Sequence, residues 1–329
     1  MIKNLLTYVK NYVSYNKQKI NPNINVWFGE LDNDIFKVTK NADFLDDETL
    51  MLNNFPSNNH IKFAISLVAL YYAQLKNIIY DHPIVYRLQN ILCNQQPFII
   101  INNNATHTES PLVITWECCL DISPKTVYII VRGTSTYEEK DDDLDYSLID
   151  VIWNINNQTY KFKFQKGFYT LFTKYIIDPT IPNIQEKIPK NIINAEKIYI
   201  IGHSLGAALT YLLSLYLSIV FPTKIIKICC IAPPRSGDID FVNLFSKITS
   251  IPDIDIISVI NLADPVPFAL ITLPATQKTD NTYADIQSFM QPSPLYVYYD
   301  PSLALTEGII NTHTLVSYFS NCDNLVKLI

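Results

Sequence analysis

Apolar positions along this chain follow two rhythms. Across 60–80 they fall at Ile61, Ala64, Ile65, Val68, Ala69, Tyr72, Leu75 and Ile79, the three-and-four spacing of a helix with one packed face. Elsewhere they come as short unbroken runs rich in Ile, Val and Tyr, which suit strands covered on both faces. Such runs occupy 111–120, 126–131, 198–201, 224–231 and 255–261, with further strands expected at 160–164 and 294–299. Asp121-Ile122-Ser123-Pro124 reads as the turn between the first two, and Pro179, Pro182 and Pro189 mark the connection into 198–201. Helical stretches are expected at 168–177, 207–217, 241–248 and 314–319. Strands and helices in alternation predict an α/β fold with a mostly parallel central sheet and helices on both faces. No repeat and no Gly/Ser linker divides the chain, so the expected organisation is an N-terminal extension, 1–59, Asn-rich and acidic at 43–48, and one α/β domain, 60–329.

Composition narrows the picture. With 48% hydrophobic and 17% charged residues over 329 positions, there is ample material for a core. A formal net charge of -6 argues against a nucleic-acid partner and, more weakly, against docking on anionic lipid. Abundant Ile, Asn, Lys and Tyr with only 7 glycines is the product expected of an AT-rich genome, a viral one included. The stretch 1–19 lacks the continuous apolar core of a signal peptide, so an intracellular protein is expected, with peripheral membrane contact left open. Residues 205–221 are nearly uncharged but a little short for the roughly 20 residues of a membrane span, and a buried helix is expected there. The six cysteines, Cys93, Cys118, Cys119, Cys229, Cys230 and Cys322, include two adjacent pairs in strand-like runs. Neighbours on a strand point to opposite faces, and no C-x-x-C spacing suggests zinc, so buried free thiols are expected.

The chemistry concentrates at Gly202-His203-Ser204-Leu205-Gly206, where a β-branched strand breaks into a helix. A serine hydroxyl attacks a carbonyl only if a base takes its proton and the chain presents its oxygen clear of neighbours. Glycines on both sides of a strained turn remove the Cβ atoms that would collide where strand and helix approach. The N–H of Leu205, at the helix start, would then face the oxyanion formed by attack of Ser204, helped by the helix dipole.

Five histidines are present, and only His313 lies downstream of Ser204. In a serine-acid-histidine chain order it is the base. The acid could be Asp238, Asp240, Asp253, Asp255, Asp264, Asp280, Asp285 or Asp300. Asp264 is preferred because it closely follows an apolar strand and two prolines stiffen its loop; Asp300 is second. Thr134, after a glycine at the end of a central strand, is the candidate second oxyanion donor, with Arg132 placed to anchor its loop to a carboxylate.

Together these residues resemble the class 3 lipases, the fungal-type triacylglycerol lipase family of the α/β-hydrolase fold. Val131-Arg132-Gly133-Thr134 is similar to that family's oxyanion-loop motif, 200–206 to its nucleophile elbow, and Gly167-Phe168 to its G-F after a strand. Residues 232–238 resemble its G-x-P-R-x-G-[ND] loop with Ala232 in place of glycine, Asp264-Pro265-Val266-Pro267 its acid motif, and His313 precedes a tyrosine-containing helix as the family's base does. The resemblance implies Ser204, Asp264 and His313 as triad and the Leu205 and Thr134 amides as oxyanion hole. It implies a serine hydrolase cleaving carboxylic esters of lipids, acylglycerol or lysolipid, with no cofactor and no metal.

One segment departs from the family. Where an amphipathic lid with an apolar face belongs, this chain has Tyr137, Glu138, Glu139, Lys140, Asp141 and Asp142. Carboxylates there gain little from a bilayer, which argues against activation at a lipid interface. The alternative reading is an inactive lipase-fold scaffold that binds protein partners through its surface and residues 1–59.

Overall fold

The computed structural model describes residues 36, 42–98, 111–120, 125–134, 147–264, 266–267, 292, 295–298, 300 and 313–328. In chain order they form α1 (Asp47–Leu50), α2 (Asn58–Leu75), α3 (Pro83–Ile91), β1 (Leu92–Pro97), β2 (Val113–Cys118) and β3 (Thr126–Val131). Then follow β4 (Leu148–Ile155), β5 (Gln158–Gln165), α4 (Lys166–Tyr175), α5 (Lys190–Asn194), β6 (Lys197–His203) and α6 (Leu205–Val220). The last part holds β7 (Ile225–Ile231), α7 (Ile239–Thr249), β8 (Ile254–Asn261), β9 (Leu295–Tyr298), α8 (Leu315–Ser320) and β10 (Val326–Leu328).

Eight strands make one sheet in the order β1-β2-β3-β6-β7-β8-β9-β10. Its centre, β3 through β9, is parallel, while β1, β2 and β10 pair antiparallel at the edges. This is the mostly parallel α/β arrangement that the sequence pattern predicts. Because parallel strands all end on one side, the segments after β3, β6 and β8, carrying Thr134, Ser204 and Asp264, leave the sheet along the same rim.

Every residue of β3 and β6 is buried, and the period of two along each strand sorts them between two cores. Ile129, Ile198, Ile200, Ile228 and Cys230 face a core closed by α4, α6, α7 and the β4–β5 hairpin. Tyr128, Ile130, Tyr199, Ile201 and Cys229 face the other, closed by α1, α2, α3 and α8. The adjacent cysteines of β7 thus lie on opposite faces. Burial raises the Cys229 thiol to about 12 and Cys230 well above its ordinary value, so neither forms a thiolate at neutral pH.

Helix α6 is buried along nearly its whole length: it packs on β6 and β7 and against α4 and α7. The hairpin reaches its outer side, with Trp153 meeting Tyr216 edge-on at 6.1 Å and Asn156 Nδ2 donating to the Ile219 carbonyl at 3.0 Å. Its apolarity is that of a helix covered all round, and among the described residues no helix is long and apolar enough to cross a membrane.

Some expectations change. The helix expected over 60–80 ends at Leu75, and Ile79, assigned to its packed face, is 94% exposed. Lys76 and Asn77 close the helix with backbone bonds, Asn77 at φ 53, so the chain turns off before the apolar spacing stops. The expectation that all cysteines are free thiols is corrected: Cys93 on β1 and Cys119 just past β2 are disulfide-bonded, their Cα atoms 5.8 Å apart, whereas Cys118, Cys229, Cys230 and Cys322 are free. The pairing escaped the sequence because β1 itself did. Within 1–59, Leu50 and Leu52 are buried in the second core, and Tyr128 Oη donates to the Leu50 carbonyl at 3.2 Å. The packing therefore continues across the expected boundary at residue 59.

Candidate active site

Ser204 occupies the turn between β6 and α6 with φ 58 and ψ -127, a left-sided backbone that a residue with a Cβ adopts only under constraint. The constraint is visible. Its N–H donates to the Ile231 carbonyl at 3.0 Å, tying the turn to β7, and its carbonyl accepts from Ala207 N–H at 2.9 Å as α6 begins. A Cβ on Gly202 would overlap the Gly206 carbonyl and Thr210 Oγ1, and one on Gly206 would overlap the Val131 and Arg132 carbonyls. Two glycines are thus what allow strand, helix and the segment after β3 to meet here, as the motif predicts.

Behind the hydroxyl stand the other two residues singled out from the sequence. His313 Nε2 lies 2.8 Å from Ser204 Oγ, and His313 Nδ1 lies 2.7 Å from Asp264 Oδ2. A carboxylate on Nδ1 places the ring proton there and leaves Nε2 as the acceptor for the serine proton. Asp264 is fully buried; its Oδ1 accepts the Val266 N–H at 2.9 Å, and its Oδ2 also accepts the Tyr318 hydroxyl at 2.7 Å. The runner-up acid, Asp300, accepts from Asn321 Nδ2 at 3.0 Å. His313 sits just before Thr314, which caps α8 through its side chain.

On the other side of Ser204, Leu205 holds the first helical position of α6, whose N–H has no acceptor within the helix. Gly133 passes close by, a Cβ built on it reaching 3.3 Å from Ser204 Cβ, and half-buried Thr134 follows. Leu205 thus adjoins Ser204 in the chain, and the residue before Thr134 approaches it across the loop. Fully buried Arg132 braces the loop by donating from Nε to the Pro111 carbonyl at 3.2 Å and from Nη1 to the Gly133 carbonyl at 3.0 Å. The expected lid residues Tyr137, Glu138, Glu139, Asp141 and Asp142 lie outside the described residues.

Three side chains at the site were not singled out as functional from the sequence. Tyr72, on α2, receives the Gly133 N–H at 2.7 Å and lies 3.3 Å from His203 Nδ1. His203, beside the nucleophile, places Nε2 3.1 Å from the His313 carbonyl. Tyr318, on α8, links Asp264 to the Asn261 N–H, which it accepts at 3.1 Å. In the sequence Tyr72 marks only a helix's packed face, and His203 only a variable position inside the elbow motif.

A parallel sheet whose central strand breaks at a strained serine, with imidazole and carboxylate aligned behind it, defines a serine hydrolase of the α/β-hydrolase fold. Residues 128–273 match the family model described as lipase (class 3). The matched span holds Ser204 and Asp264; His313 lies beyond it. Among solved structures, M37 lipase is 15% identical with a TM-score of 0.50, covering 80% of this chain and 93% of its own, a likeness of fold. A Rhizomucor miehei lipase propeptide complex is 18% identical with a TM-score of 0.49, covering 80% of this chain and 77% of its own. A triacylglycerol lipase from Penicillium expansum is 15% identical with a TM-score of 0.44, covering 83% of each chain. No curated protein matches the sequence.

Proposed function

We propose that Ser204, His313 and Asp264 act as the catalytic triad of this ester hydrolase, with the Leu205 and Thr134 amides as its oxyanion hole, and that its substrates are small acyl lipids, acylglycerol or lysolipid. Ser204 Oγ attacks the acyl carbon as His313 Nε2 takes its proton. The imidazolium, steadied by Asp264, returns that proton to the leaving alcohol, and water then cleaves the acyl-enzyme by the same route. The observation that carries this reading is the position of His313, within hydrogen-bond distance of Ser204 Oγ on one nitrogen and of Asp264 Oδ2 on the other.

The lipid part of the proposal is supported by the match to the class 3 lipase model. The preference for small, dispersed substrates over an emulsion surface is supported by the acidic sequence at 137–142. Purified protein should label at Ser204 with a fluorophosphonate and hydrolyse nitrophenyl esters of graded chain length, with a phospholipid run alongside to separate lysolipid from acylglycerol preference. A wild-type protein that neither labels nor turns over any of these would overturn the proposal in favour of a scaffold.

A further inference from the structure

Two of the newly found side chains form a continuous path between the halves of the site. Tyr72 Oη accepts the N–H of Gly133, the residue before Thr134, at 2.7 Å. The same oxygen lies 3.3 Å from His203 Nδ1, in an edge-on contact with ring centroids 6.2 Å apart. His203 Nε2 faces the backbone carbonyl of His313 at 3.1 Å, and the two imidazole rings lie tilted at 4.9 Å between centroids.

The polarity of this path follows from its ends. A carbonyl oxygen only accepts, so the proton of a neutral His203 sits on Nε2 and points at His313. Its Nδ1 is then an acceptor, which the Tyr72 hydroxyl serves while its own oxygen takes the Gly133 N–H. Tyr72, His203 and Gly133 are all buried, the first two 7% and 3% exposed, so water competes little for these bonds.

Resting on the triad reading above, we propose that Tyr72 and His203 are positioning residues that tie the oxyanion loop to the loop carrying the catalytic base, fixing both against Ser204 as one unit. Neither touches the reacting atoms. Tyr72 belongs to α2, outside the span matched by the class 3 lipase model, so a helix N-terminal to that span sets the spacing between the oxyanion donors and the base. Small displacements of such groups are expensive, because the donors are useful only at the position the oxyanion will occupy.

The test is Tyr72→Phe, which keeps the ring and its packing and removes only the hydroxyl. On a soluble nitrophenyl ester, kcat should fall on the order of 10- to 100-fold with KM within about twofold, and fluorophosphonate labelling of Ser204 should slow in parallel. His203→Gln keeps a donor near the Nε2 position but breaks the contact to Tyr72, so it should reproduce the kcat loss even if the tyrosine variant folds poorly. Because both changes cut one link, the double variant should be about as slow as the slower single one. A Tyr72→Phe or His203→Gln protein with wild-type kcat, whatever its melting temperature, would reduce the pair to packing and overturn the proposal, as would losses that multiply in the double variant. Wild-type protein that never labels would instead remove the triad reading beneath it.

Discussion

Tyr318 donates its phenol O–H to Asp264 Oδ2 at 2.7 Å, the oxygen that His313 Nδ1 also meets at 2.7 Å. Burial, with the charge of Asp264 adding to it, holds that phenol well above its ordinary pKa, so it stays a donor through the neutral range. With the Val266 N–H on the other oxygen, the carboxylate is held from three directions. Asp264→Asn should therefore keep the fold and lose on the order of 10⁴ in kcat, because an amide cannot hold imidazole in the required tautomer. Tyr318→Phe should cost far less, about tenfold, by loosening the carboxylate rather than replacing it. Steady-state kinetics on a soluble ester checks both, and a mild Asp264→Asn beside a crippling Asp300→Asn would reassign the acid.

Ser204→Ala should abolish hydrolysis and leave the melting temperature near that of the wild type, since one hydroxyl contributes little to stability. Ser204→Gly goes further. At φ 58 and ψ -127 a Cβ is strained by about 1–3 kcal/mol, which glycine relieves at a smaller entropic cost. The glycine variant should melt no lower than the alanine variant; if it melts clearly lower, the turn is not strained.

His60 offers a pH test away from the site. Its Nδ1 accepts the Ser57 N–H at 3.1 Å and lies 2.6 Å from Ser57 Oγ, closing the cap of α2. Burial above all holds the imidazole down at about 4, with Asp46 pulling the other way. The folded value lies below the unfolded 6.5, so the unfolded chain binds the proton first. The associated stability is complete above pH 6.5 and is lost as pH falls toward 4, on the order of 3 kcal/mol at about 1.36 kcal/mol per pH unit. His60→Gln retains a side chain suited to the third helical position of a capping box and does not titrate. Urea unfolding across that range should show a flatter acid limb for the variant; parallel curves would mean that His60 titrates normally.

The acidic sequence at 137–142 bears on lipid surfaces. Vesicles rich in anionic lipid should be bound poorly, and more poorly at low salt, where screening is weakest. Replacing Glu138, Glu139, Asp141 and Asp142 by their amides should improve binding while turnover of soluble esters stays nearly unchanged. A sharp rise in rate as an ester passes its solubility limit in the wild type would show that an apolar contact surface exists elsewhere.

How much of this was legible beforehand follows from what each residue does locally. Strands β3, β6, β7 and β8 announce themselves because a strand covered on both faces must be apolar throughout. β1, Leu-Cys-Asn-Gln-Gln-Pro, is an edge strand with exposed polar side chains, and nothing in that string demands pairing. β4 alternates buried Val151, Trp153 and Ile155 with exposed Asp150, Ile152 and Asn154, and the outward Ile152 blurs the period of two. α3 does carry local signals of a helix start, a His82 cap bonded to Ile84 N–H and proline at the first helical position. The residues of the proposed triad could be singled out because serine sits in a glycine turn and histidine is scarce downstream. Tyr72 and Tyr318 are two of 21 tyrosines, and what distinguishes them is a hydrogen-bond partner far away in the chain.

The enclosure of α6 has a consequence for how this protein can vary. A helix with a wet side accepts almost any residue over part of each turn, so its tolerance to substitution rises and falls every three to four positions. From Leu205 to Ile219 every residue of α6 is buried. A scan of charged substitutions along it should give an unbroken block of intolerance, with no periodic relief, ending only near Val220. The proposed nucleophile is mounted at the head of that block, so drift in the surrounding surface can retune which esters reach Ser204 while leaving the serine itself where it stands.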